Sequence, residues 1–262
     1  MRIALGIEYD GRNFCGWQTQ PSRCSAQDAL ERALTDIAGH DVATICAGRT
    51  DAGVHALGQV VHFDSDADRR ESAWIRGTNA LLPSGLAATW MRPVPLEFNA
   101  RYSAFERRYR YILLNHPVRP AVNHGRVGWY HAPLDLGSVR EAASALLGEH
   151  DFSAFRSSEC QAKSPVRELR CLDVHVSGDY VIFELAANGF LHHMVRNIVG
   201  SLIYVGNGRQ DPEWLARVLS SRDRALAAPT VDAAGLYLEH VSYDAKWGLP
   251  QRNRTPWPYG KT

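Results

Sequence analysis

The chain has 262 residues but only five cysteines (Cys15, Cys24, Cys46, Cys160 and Cys171), an odd number with no Cys-x-x-Cys pair. That set offers neither a disulfide framework nor a zinc ribbon, and it points to a reducing compartment, the cytoplasm. Long apolar runs are also missing. No window reaches the roughly 20 residues of a membrane helix, and Met1 to Glu8 holds too short an apolar stretch for a signal peptide. Neither sign of charge is in excess: 29 Lys and Arg stand against 28 Asp and Glu, a net charge of +1. A bulk basic field is therefore excluded, and any nucleic-acid contact must come from local grouping of Arg and Lys. No glycine-rich loop ends in Gly-Lys-Ser/Thr, so P-loop nucleotide binding is excluded. No His-Glu-x-x-His marks a zinc hydrolase.

What is present is a globular balance, with 45% apolar and 22% charged residues, in a chain long enough to bury a large core. Ile3, Leu5, Ile7 and Tyr9 alternate, which predicts a strand ended by Asp10-Gly11. Ser25 and Asp28 form a capping box for a helix that Gly39 stops. Strands are expected at Val42 to Ala47 and Gln59 to Phe63, a helix at about Glu71 to Leu82, and a strand from Leu86 to about Val94. That order is β-α-β-β-α-β. It returns with a strand through Tyr109, Tyr111 and Leu113 and a helix capped by Ser138 and Glu141. Strands at Val166 to Ser177 and Tyr180 to Ala186 follow, then a helix from Leu191 to about Tyr204. A short helix after Asp211-Pro212 and a closing strand at Leu236 to Tyr243 complete it.

The fold class expected is therefore α+β: two ferredoxin-like β-α-β-β-α-β units, 1–105 and 106–245, joined through a mainly antiparallel central sheet. Glu97 to Glu106 reads as the hinge. A basic, Pro-rich tail, 246–262, reads as loosely ordered.

Three segments carry candidate chemistry. Gly48-Arg-Thr-Asp-Ala-Gly-Val-His55 follows a strand, and Gly-flanked Asp51 is placed to aim a carboxylate into a cleft. Arg49, two positions away in an extended stretch, would hold that carboxylate ionised, as a nucleophile requires; a loop Asp beside a surface Arg fits the same pattern. In Arg107-Arg108-Tyr109-Arg110-Tyr111, alternation sends Tyr109 and Tyr111 to one face and Arg108 and Arg110 to the other. Rings suit unstacked bases and guanidinium groups suit phosphates, although a half-buried strand gives the same pattern. At the start of the long helix, His193, Arg196 and Asn197 share a flank beside the apolar stripe. Adjacent helical positions diverge by about 100°, so His192 and His193 make a poor metal pair, and no metal is expected.

Together these residues resemble one family. Tyr9-Asp10-Gly11 with Phe14, Gly16, Trp17 and Gln18, then Ala47 to His55, Arg108 to Tyr111, His192 to Gly200 and Gly235 to Leu238, are similar to the motifs of the tRNA pseudouridine synthase A family. The resemblance runs from about Ile3 to Tyr243, and it implies a central basic, RNA-binding cleft between the two units. It implies a homodimer that uses no metal or organic cofactor and isomerises uridines at positions 38, 39 and 40 of the tRNA anticodon stem-loop. It further implies that Asp51 is the catalytic carboxylate and Arg49 its partner in the motif. Tyr109 is then the ring that stacks on the target base, Arg196 the arginine that pairs with the carboxylate, and Leu236 an apolar pocket wall. Arg108, Arg110 and His193 join Tyr109 and Leu236 as expected substrate contacts.

Overall fold

Alternation at the start of the chain becomes the first strand of a computed structural model that describes residues 1–250. The fold is α+β with mainly antiparallel sheet, in two compact units. Among the described residues, the first comprises Met1–Phe105 and 237–250; the second comprises Glu106–Leu236.

In the first unit β1 (Arg2–Tyr9) leads to α1 (Ala26–Ala38), where the Ser25 hydroxyl accepts the Asp28 N–H and the Asp28 carboxylate accepts the Ser25 N–H. Gly39, at φ +77°, ends the helix. Then come β2 (Ile45–Cys46), β3 (His55–Asp64), a π turn (Ala73–Gly77) continued by α2 (Thr78–Leu81), and β4 (Leu86–Val94). The helix expected at 71–82 thus contains a π turn, which holds the fully buried Trp74 against Phe63, ring centroids 5.3 Å apart. Strands run β4-β1-β3. The other edge of β3 is shared: β2 pairs antiparallel at Val61 and His62, and the strand Leu236–Tyr243 pairs parallel at His55 and Ala56. That division explains why β2 has two residues where six were expected. It also moves the closing strand, after Leu236, from the second unit to the first.

The second unit contains β5 (Ala104–Asn115), β6 (Gly128–Tyr130), α3 (Leu136–Ser144), β7 (Gly148–Asp151), β8 (Val166–Ser177), β9 (Tyr180–Ala187), α4 (Met194–Gly206) and α5 (Glu213–Ser221). The closing strand is β10. Order in the sheet is β5-β9-β8-β7, antiparallel throughout, with β6 parallel to β5. Strands β6 and β7 were not expected.

Four other expectations change. The cap of α3 is Asp135, whose carboxylate accepts the Gly137 N–H; the Ser138 hydroxyl donates to that same carboxylate and has no capping role left. Helix α4 starts at Met194 and not Leu191, because His193 is left-handed at φ +63° and cannot continue a helix. The supposed hinge is packed: Phe98 and Ala100 are fully buried, and the Tyr243 hydroxyl donates to the Ala100 carbonyl at 2.6 Å. Finally, Cys15 and Cys24 are disulfide-bonded, brought together as the Cys15 N–H donates to the Cys24 carbonyl. Of the tail, Trp247 packs on Phe98 at 5.3 Å, and 251–262 lie outside the described residues.

Candidate active site

Neutral contacts inside the first unit anchor the Asp51 loop. Thr50 is buried, while Arg49 is exposed and Asp51 half-buried, so the alternation read from sequence persists through the loop. The Thr50 hydroxyl shares a 2.7 Å hydrogen bond with the Tyr9 hydroxyl, and the Thr50 carbonyl accepts the Trp17 N–H at 3.0 Å. Trp17 is itself buried and lies 5.7 Å from the Tyr9 ring. On the upstream side, the Gln59 amide donates to the Gly48 carbonyl at 2.6 Å.

Downstream of Asp51 the chain turns at once. The Val54 N–H donates to the Asp51 carbonyl, and Gly53 takes φ +80°, a conformation that favours glycine at the third position of a tight turn. Gly11 touches the end of that turn so closely that a Cβ there would lie 2.2 Å from the Val54 carbonyl oxygen. The Gly11 N–H donates to Nδ1 of buried His55 at 3.0 Å. Nδ1 is therefore the nitrogen without hydrogen, and its 3.3 Å approach to the Asp10 carboxylate is not an ion pair through that atom. Asp10 is bound to Arg12, whose guanidinium holds the Asp10 carboxyl down at about 2.

The second unit carries the other sequence candidates. Tyr109 is 8% exposed on β5 and meets half-buried Phe190 edge-on at 5.1 Å. Arg108 lies 3.6 Å from the Glu106 carboxylate. Arg110 is buried and bound at 2.8 Å to buried Glu184, its register partner on β9. The Arg110 guanidinium is thus engaged with a carboxylate in the core. Arg196 is half-buried and donates through Nε to the Val231 carbonyl at 2.9 Å. Leu236 is buried at the start of β10.

The flank expected on α4 divides. Asn197 is fully buried, donating to the Phe155 carbonyl and accepting from Arg224 and Thr230, and it lines a cavity together with His193. Arg196 is turned to Val231 instead. Sequence reading missed the cavity's Arg156 and Arg224, and it read Tyr9 and Gly11 only as a strand end and its turn and gave Trp17 no structural task, so none was tied to the Asp51 loop. Glycine and aromatic residues clustered before α1 were the available signal for the latter group.

The family described as tRNA pseudouridine synthase matches over residues 6–103 and 142–244. A tRNA pseudouridine synthase A from Thiobacillus denitrificans is 56% identical over 259 residues, covering 99% of each chain. One from Burkholderia thailandensis is 58% identical over 259 residues, covering 98% of this chain and 96% of its own.

Proposed function

Because the chain belongs to the tRNA pseudouridine synthase family, whose members are tRNA-modifying isomerases, we propose that it acts at positions 38 to 40 of the anticodon stem-loop with Asp51 as nucleophile. The observation that carries the reading is the fixed, half-buried Asp51 between the anchored Thr50 and the Gly53 turn.

The reaction breaks the bond between ribose C1′ and uracil N1, joins C1′ to C5, moves a proton onto N1 and removes one from C5. Atoms and electrons balance within the substrate, so no oxidant or reductant is required. A carboxylate serves by attacking C1′, by attacking uracil C6 or by assisting loss of the 2′ proton, and each route needs it ionised. Arg49 and Arg196 are the cations proposed to favour that state. Tyr109 is the proposed stacking ring, which offsets the few kcal/mol spent in unstacking the uridine. Leu236 is the proposed apolar wall that keeps water from the detached sugar. Arg108 and His193 are the proposed polar contacts to RNA, with a homodimer in the cytoplasm as the proposed working form.

The test is mass-spectrometric mapping of pseudouridine in tRNA incubated with the purified protein and EDTA. Modification at 38 to 40 supports the reading. Modification elsewhere, or a chelator-sensitive reaction, contradicts it.

A further inference from the structure

The second unit holds a cavity of about 510 Å³ lined by Ser153, Arg156, Ser157, Ser158, His193, Asn197, Arg224 and Thr230. Its chemistry is one-sided: two guanidinium groups, an imidazole, an amide and four hydroxyls, with no Asp or Glu. Neither Arg156 nor Arg224 forms an ion pair with a carboxylate among the described residues.

Arg224 is fastened in place. It donates through Nη2 to Asn197 Oδ1 at 3.0 Å and to Thr230 Oγ1 at 3.2 Å, and through Nη1 to the Ala227 carbonyl at 3.3 Å. Its acceptors are neutral, and burial lowers its pKa below the usual arginine value. Arg156 spends Nη2 on the Cys160 and Ala162 carbonyls and also hydrogen-bonds the Cys160 thiol. Both cations are thus oriented by carbonyl, amide, hydroxyl and thiol groups, with no carboxylate counter-charge among the described residues. Across the cavity stands the first turn of α4, a 13-residue helix whose positive end adds to the same field. His193 keeps its left-handed backbone at that corner; such strain in a residue other than glycine persists where its surroundings fix it, commonly at ligand sites.

We propose that this cavity binds a backbone phosphate of the RNA substrate, with Arg156 and Arg224 gripping one phosphodiester and the serine and threonine hydroxyls completing its shell. The site rests on the reading of the protein as a tRNA-modifying enzyme. It supplies that enzyme with a local anion site despite its net charge of +1. Two oriented guanidinium groups fit the tetrahedral oxygens of phosphate better than they fit a planar carboxylate shared between them.

The test measures tRNA affinity against salt for wild type, Arg156→Gln, Arg224→Gln and the double variant, with turnover and melting temperature recorded for each. Neutralising one phosphate contributes about 0.7 to 0.9 to the slope of log affinity against log salt. Each single variant should lose about that much slope and bind roughly ten- to a hundredfold more weakly. The double variant should lose no more slope than the singles, because one phosphate is shared.

Arg156→Gln keeps the test open if Arg224→Gln does not fold, since the Arg156 side chain bonds only to the nearby segment 160–162 among the described residues. A parallel arm follows melting with inorganic phosphate at constant ionic strength. Wild type should gain stability that Arg156→Gln does not. Unchanged slopes overturn the site, as do slope losses that add in the double variant. A phosphate-dependent melting shift with unchanged tRNA slopes means a pocket for free anions only, and also overturns it. A wild-type protein that binds tRNA with these slopes but forms no pseudouridine refutes the activity and leaves the pocket standing.

Discussion

The two units share an α+β composition but hold their candidate functional residues by different physics. In the first, the Asp51 loop is anchored through Thr50, Tyr9, Trp17, Gly53 and Gly11: hydroxyls, amides and close backbone contact. In the second, charge organises the interior. Arg110 meets Glu184 in the core, and Arg156 and Arg224 stand around a cavity without a carboxylate. A frame of neutral contacts fixes geometry and is insensitive to salt. Unneutralised arginines do little for the geometry of a loop but attract anions. The division suits an enzyme that must place one carboxylate accurately while holding a polyanion.

The contrast can be broken most severely in the second unit. Removing either partner of the Arg110–Glu184 pair, as in Arg110→Ala, should cost about 3–5 kcal/mol, because the remaining charge stays buried and unpaired. Replacing both with apolar residues of similar volume should cost much less. Urea unfolding gives both numbers, and an Arg110→Ala loss below about 1 kcal/mol would mean the pair is effectively solvated.

In the first unit, Gly11→Ala forces a methyl against the Val54 carbonyl and should cost about 1–3 kcal/mol. Its larger signature is kinetic: turnover should fall at saturating tRNA while tRNA affinity holds. Equal loss of affinity would show that this contact shapes the RNA surface as well.

Tyr9→Phe leaves Thr50 without its hydroxyl partner, at a cost of about 1 kcal/mol, and should lower kcat more than it raises KM. An unchanged kcat would remove Tyr9 from the frame.

The smallest effect is acid-dependent. Asp10 titrates at about 2 in the fold, below the ordinary carboxylate value near 3.9, owing first to its hydrogen bond with Arg12. Its folded pKa is depressed, so the contribution is present above pH ~4 and disappears as pH falls through about 2. Partial exposure limits it to about 1 kcal/mol or less. The stability gap between wild type and Asp10→Asn should close over that window, and a gap constant down to pH 2 would contradict the assignment.

Local signals were legible in the sequence and distant ones were not. Ser25 and Asp28 cap α1 as read, because both partners lie within one turn. Ser138 fitted the same pattern, but Asp135 upstream competes for the same amides with a full charge. Hydrophobic spacing placed the start of α4 at Leu191, since periodicity records burial and Leu191 is buried; it is blind to the left-handed backbone of His193. Alternation put Arg110 on a face but could not tell what faces it, as Glu184 arrives only when β9 pairs with β5. The cavity was hidden for the same reason: its lining comes from three stretches, 153–158, 193–197 and 224–230, without a shared motif. The Asp51 string was legible through its resemblance to a family; the frame around it required the fold.

The central claim is that Asp51 performs chemistry in a frame that exists without it. Asp51→Asn keeps the size and hydrogen-bonding reach of the side chain while removing the nucleophile, and tRNA affinity rests mainly on phosphate contacts. Single-turnover assays on purified Asp51→Asn with saturating tRNA, alongside a binding titration, should show no pseudouridine formed and affinity within a few-fold of wild type. Substantial turnover by that variant would contradict the account.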